Sequence, residues 1–184
     1  MDAFEQLVSE ILWMEGYWVR TSVKVELTKE EKRLIGRHSA PRWELDIVGY
    51  SGRENLLRVV ECKSYMDSIG VRASAFDGSN PDHAKRYKLF NEPELQRIVF
   101  NRLCLQFTES GACREAPQIR FSLACGKIRN EADRVAIRAH FEARGWELWD
   151  EPWLREHLQR MAEQGYENQV SAVVAKLLLR GKVE

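Results

Sequence analysis

The chain has 184 residues, 44% hydrophobic and 30% charged, and its 28 basic side chains are balanced by 28 acidic ones at a pI near 6.9. That size makes one ordinary domain with a real core, read here as a single unit over 1–184 with a core of about 1–150 and a helical extension over 151–184. Zero net charge argues against a protein that coats nucleic acid, and no apolar run reaches the length of a membrane span.

Phe4, Leu7, Val8, Ile11 and Leu12 repeat at the spacing of an amphipathic helix that Gly16 stops. At about 100° per residue Glu5 lies on the margin of that apolar stripe and is expected to look along the sheet. YWVRTSVKVEL, residues 17–27, reads as a first strand. Thr28-Lys29-Glu30-Glu31 is a capping box opening a short helix that Gly36 ends. Lys32, Arg33, Arg37 and Arg42 follow without an intervening acid, and His38 is read as a loop residue rather than a base.

WELDIVGY and LLRVVECKS are two strands rich in β-branched residues, joined by Ser51-Gly52-Arg53-Glu54 as a hairpin loop. Pairing Tyr50 with Asn55 sets Asp46 opposite Val59 and Glu44 opposite Glu61, with Glu44, Asp46, Glu61 and Lys63 on one face. Such crowding is unfavourable unless something uses it, because like charges repel and buried carboxylates resist ionisation. A divalent cation resolves both problems. Asp46 and Glu61, roughly 7–8 Å apart at Cβ as diagonal neighbours, can converge on one hard ion such as Mg²⁺, with Mn²⁺ as a substitute. Lys63 can then position or help deprotonate a water and offset phosphate charge. An edge strand with an ordinary surface ion pair fits the same letters, but Val59, Val60 and Cys62 make a poor edge.

Residues 65–81 form a long connection, expected near the substrate, in which Tyr65 and Phe76 anchor the loop rather than stack on bases. Lys85, Arg86 and Lys88 form a second basic cluster around Tyr87; both clusters can bind backbone phosphates, or simply be solvated loops. From Glu92-Pro93 a helix runs to Gly111 with Leu95, Val99, Leu103 and Phe107 on one face, Ile98 and Leu105 widening it, and Arg97 and Arg102 facing solvent. QIRFSLAC is a strand, Asn130 caps a helix over 131–144, and WELW is a short strand. Pro152 opens another helix, closed by Gly165, and a last one runs over 167–180. Trp146, Trp149 and Trp153 are expected to pack helix on sheet or form a partner surface.

Asp46 in ELDIV, with Glu61-Cys62-Lys63 after a hairpin, resembles the PD-(D/E)XK nuclease superfamily, and among its members the archaeal Holliday-junction resolvases and Mrr-type endonucleases. FEQLVSEILWMEGYWV looks like their first helix, and GWELWDEPWL weakly resembles the strand-turn-helix that closes the Mrr-type domain. The likeness covers roughly residues 1–160, with Leu45 standing where the family name has Pro. It implies a restriction endonuclease-like α/β fold, with an αβββαβ core whose mixed central sheet is flanked by helices and followed by extra C-terminal helices. It also implies Asp46, Glu61 and the Cys62 carbonyl as metal ligands, Lys63 assisting the attacking water, and Glu5 assisting from the first helix. DNA is the implied substrate, RNA a further possibility, and a homodimer or a subunit of a larger defence or repair system the implied setting. A catalytically inactive nucleic-acid-binding or scaffold subunit on the same fold is the alternative. MDAFEQLVSE lacks the basic and apolar regions of a secretory signal, and the four cysteines lack C-x-x-C spacing, so a cytoplasmic protein is expected.

Overall fold

Five strands make one mixed sheet in the order β1-β2-β3-β4-β5: β1 (Trp18–Val25), β2 (Trp43–Ser51), β3 (Leu56–Lys63), β4 (Gln118–Cys125) and β5 (Glu147–Trp149). β1, β2 and β3 are antiparallel neighbours, whereas β4 and β5 add in parallel. The computed structural model describes residues 2–36, 42–165 and 168–180, so Arg37 and His38 lie outside the described residues.

Helices cover both faces of this sheet. On one side α5 (Pro93–Glu109) and α6 (Glu131–Glu142) bury Leu95, Val99, Leu103, Ile137 and Phe141 against Leu57, Val59 and Leu123. On the other, α1 (Ala3–Met14), α7 (Glu151–Glu163) and α8 (Val170–Leu179) bury Val8, Leu12, Leu154, Met161 and Ala172 with Ile47, Val60 and Ala124. The C-terminal helices are thus part of the second layer. Each fully buried leucine here contributes about 1.5–3 kcal/mol relative to an exposed one. No helix among the described residues is long and apolar enough to cross a membrane.

Short elements fill the connections. α2 (Lys29–Leu34) starts at the Thr28 capping box, in which Thr28 accepts the Glu31 N–H and Glu31 accepts the Thr28 N–H. The long connection after β3 holds a 3₁₀ turn (Ala73–Ala75), α3 (Pro81–Ala84) and α4 (Lys88–Asn91). Phe76 is buried there among Tyr87, Phe90 and Phe141, as an anchor should be. Two readings of α5 need correction. Leu105 is half exposed and does not widen the apolar face. Arg102 does not face free solvent but grips Glu31 with two nitrogens at 2.8–3.1 Å, tying α5 to α2. Burial works to raise the Glu31 carboxyl, and Arg102 with the cap hydrogen bonds outweighs it and holds it below its ordinary value.

The β2–β3 register is also two residues away from the expected one. Tyr50 pairs with Leu57, Val48 with Val59 and Ile47 with Val60, and pairing continues to Ser51 and Leu56. The turn therefore occupies 52–55, and Asn55 closes it at φ 51°. Its side chain accepts the Tyr50 hydroxyl and donates to the Glu115 carbonyl, which commits it to the turn. A shift of two keeps every β3 side chain on its expected face.

Candidate active site

The strand period breaks at Asp46. Ser22 of β1 takes φ 51°, and the β1–β2 ladder skips from Thr21–Ile47 to Val23–Leu45. Trp43 and Leu45 consequently join the α5 side of the core while Ile47 joins the α1 side, although ideal alternation would keep Leu45 and Ile47 together. Glu44 is exposed as a result and is not gathered with the other charges, contrary to the expectation from a regular period.

The β2–β3 ladder ends at Ile47–Val60, and beyond it the Asp46 side chain replaces the backbone as partner. Asp46 Oδ2 accepts the Cys62 N–H at 2.7 Å. Extended by one residue past its last pair, the observed register sets Asp46 opposite Glu61 rather than diagonal to it. Burial first, and then the Glu61 carboxylate, hold the Asp46 carboxyl above its ordinary value, against the Cys62 N–H and Lys63.

Lys63 Nζ donates to Glu61 Oε1 at 2.6 Å and to the Cys62 carbonyl at 3.0 Å, with both side chains about one-fifth exposed. Burial works to lower its pKa; Glu61 outweighs that and keeps the ammonium above its ordinary value. The Cys62 thiol is buried on the α1 side and pushed far up, chiefly by burial, while its backbone N–H donates to Asp46 and its carbonyl accepts Lys63. Behind Lys63, the Gly126 N–H donates to the Lys63 carbonyl at 3.1 Å, and a Cβ on Gly126 would meet the Ser64 carbonyl at 2.3 Å.

The first turn of α1 arrives at the same place. Asp2 caps it, accepting the Phe4 and Glu5 N–H groups, and Glu5 Oε2 returns to the Asp2 N–H at 3.1 Å. Asp2 acts electrostatically on Asp46, and Glu5 on Cys62. Glu5 therefore borders the site with its carboxylate engaged in the cap. Asp2 was missed in the sequence, where Asp-x-x-Glu before an apolar run was its signal.

Among the basic residues, Arg86 is the one joined to this region, through Tyr65 two residues beyond Lys63. Lys85 is bound to Asp82 at 2.7 Å, and Lys88 is exposed on α4. Lys32 is half-buried and Arg33 exposed on α2, while exposed Arg42 lies 3.4 Å from Glu26. β2 begins at the end of the sheet where antiparallel β3 finishes, so Arg42 shares an end with Lys63.

A second charged cluster uses the opposite face of β3. Arg58 pairs closely with Glu147, donates to the Tyr17 hydroxyl at 3.4 Å, and lies 5.3–5.4 Å from the ring centres of Trp149 and Tyr17. Glu147 also accepts Trp149 Nε1 at 3.1 Å and Ser122 Oγ at 3.3 Å. Trp149 and Trp153 stack at 4.4 Å, so these tryptophans pack helix on sheet.

Asp46, Glu61 and the Cys62 carbonyl form an all-oxygen set suited to a hard cation. Among the described residues no three His, Cys, Asp or Glu side chains gather into a ready metal site, and here the third donor is backbone. No protein-family model, curated protein or solved structure matches the chain.

Proposed function

We propose that the protein is a Mg²⁺-dependent nuclease that hydrolyses phosphodiester bonds of DNA on a restriction endonuclease-like fold. The observation that supports this reading most is the Lys63 ammonium, a cation held between Glu61 Oε1 and the Cys62 carbonyl and beside an Asp46 that resists ionisation. These are the oxygens that the PD-(D/E)XK resemblance assigns to metal. Asp46 and Glu61, with the Cys62 carbonyl, would hold the ion. A divalent ion bound there would lower the pKa of a coordinated water and screen charge on the phosphate. Lys63, moved off the Cys62 carbonyl, would donate to the attacking water or to a phosphate oxygen. Glu5 and Asp2 add negative potential at the rim, and Arg86 reaches toward the strand.

The same Lys63 contacts favour one second reading. They neutralise Glu61 without a metal, as in an inactive DNA-binding or scaffold subunit. RNA as substrate, a homodimer, and membership of a larger defence or repair system belong to the proposal as settings for the same site.

Cleavage of labelled single-stranded, duplex and branched DNA with Mg²⁺ or Mn²⁺ separates the two readings. Wild type is expected to cut only with metal, and Asp46→Ala and Lys63→Ala to lose at least about 100-fold. No cutting on any substrate, together with no Mn²⁺ binding by calorimetry, would overturn the nuclease reading.

A further inference from the structure

Beside Lys63 the connection after β3 encloses a cleft of about 490 Å³, lined by Tyr65, Ile69, Arg72, His83, Arg86 and Tyr87. Tyr65, two residues after the strand, takes φ 47°, lines the cleft and acts electrostatically on Lys63. The cleft and the Asp46–Glu61–Lys63 cluster are therefore neighbours.

Two cations face this space without a carboxylate. Among the described residues neither Arg72 nor Arg86 has an acidic side chain within ion-pair reach. The one acid in the wall, Asp82, is already bound to Lys85 at 2.7 Å. Arg72 is positioned by His83, whose Nε2 lies 3.5 Å from Arg72 Nη1 and whose Nδ1 lies 2.7 Å from Ser74 Oγ. A guanidinium only donates, so Nε2 is the bare nitrogen and Nδ1–H donates to Ser74. Ile69 supplies an exposed apolar side chain to this lining and Tyr65 a half-buried ring, while Ala75 and Tyr87 belong to the buried core. Ile69 stands at the rim, 59% exposed.

Resting on the nuclease reading, we infer that this cleft takes one unpaired nucleotide of the substrate strand next to the phosphate that is cut. Its phosphate would sit on Arg72 and Arg86, and its base against Ile69 and Tyr65. The size decides between strand types. A space of this volume lies in the range that holds small organic ligands, whereas a duplex keeps its bases stacked and can reach only the rim with its phosphates. Guanidinium groups beside an apolar and aromatic wall are what an unstacked nucleotide binds. The preferred substrate is accordingly one with an unpaired stretch, as in a single strand or flap.

Fluorescence anisotropy in metal-free buffer tests this without any cleavage, using a short labelled single strand, a flapped duplex and a blunt duplex of the same sequence. The full-length wild type is expected to bind the single strand and flap more tightly than the blunt duplex. Arg72→Gln, Arg86→Gln and Ile69→Glu are each expected to lose about tenfold on the unpaired probes and little on the blunt duplex. Each arginine variant is expected to flatten the salt dependence by ~0.7 in log–log slope. Ile69 and Arg86 are exposed, so their variants keep the fold. Equal losses on all probes, no loss, or a blunt duplex bound as tightly as the single strand would overturn the cleft. If wild type cuts with Mg²⁺ while the variants bind normally, the cleft falls and the nuclease stands. Selective loss of single-strand binding in a protein that cuts nothing leaves the cleft standing and removes the nuclease.

Discussion

The two faces of β3 solve the same electrostatic problem in opposite ways. On one, Arg58 meets Glu147 inside a set of donors and rings to which Tyr17, Ser122, Trp149 and, from the solvent side, Arg120 belong. On the other, one ammonium, Lys63, is bound to Glu61, while Asp46 has the Cys62 N–H as its hydrogen-bond partner and is held above its ordinary pKa. A charge cluster whose members are all partnered avoids the cost of a bare buried charge, whereas one that remains short of positive charge carries a shifted pKa. Both clusters use strand residues only a few positions apart, so hydrophobic pattern alone does not distinguish them.

The largest expected effect on stability sharpens this contrast from the closed side. Arg58→Met leaves Glu147 with Arg120, at 3.4 Å, as its remaining ion-pair partner and is expected to cost about 2 kcal/mol, read as a lower urea midpoint with an unchanged slope. Adding Glu147→Gln to that variant is expected to recover more than half of the loss. On the open side the sign reverses. Because the folded-state pKa of Asp46 lies above its unfolded value, the folded chain binds the proton more tightly between the two values, and stability falls as pH rises through that interval. Asp46→Asn keeps an oxygen for the Cys62 N–H and is expected to stabilise the metal-free protein at about pH 7 by about 1 kcal/mol, or ~2–4 °C in Tm. At about pH 3 the wild-type carboxyl is protonated in both states and the gain disappears. A destabilised Asp46→Asn at neutral pH would break the comparison. The smallest effect belongs to the exposed pair Lys85–Asp82: Lys85→Ala is expected to leave the melting temperature unchanged in a thermal scan.

Much of this was readable in the letters, and the misses have physical causes. VVECK read as an interior strand because its apolar residues surround two charges, and Glu61 and Lys63 lie on the face that parity assigned. The turn lies one residue later than SGRE suggests, because a Gly inside SGRE is a stronger signal than an Asn at its end, and the Asn55 contacts to 115–116 fix where pairing stops. The reversal at Asp46 left no local trace. It depends on Ser22, a non-glycine residue with positive φ, and on a neighbouring strand that must break step with it. Arg102 with Glu31 and Arg72 with His83 are likewise matters of approach in space. A helical arginine with no acid three or four residues away reads as solvent-facing until the partner, 71 residues away, is seen.

Gly126 has a consequence for how such a protein can change. Because the neighbouring parallel strand clamps the backbone at Lys63 and Ser64, and no side chain fits between them, the reach of the lysine is fixed from behind, by β4. The connection that follows is released from that duty. Its length and lining can be rebuilt, by drift or by an engineer, without re-aiming the lysine. On the proposed function, chemistry and substrate choice would thereby lie on separate pieces of chain that can evolve at different speeds.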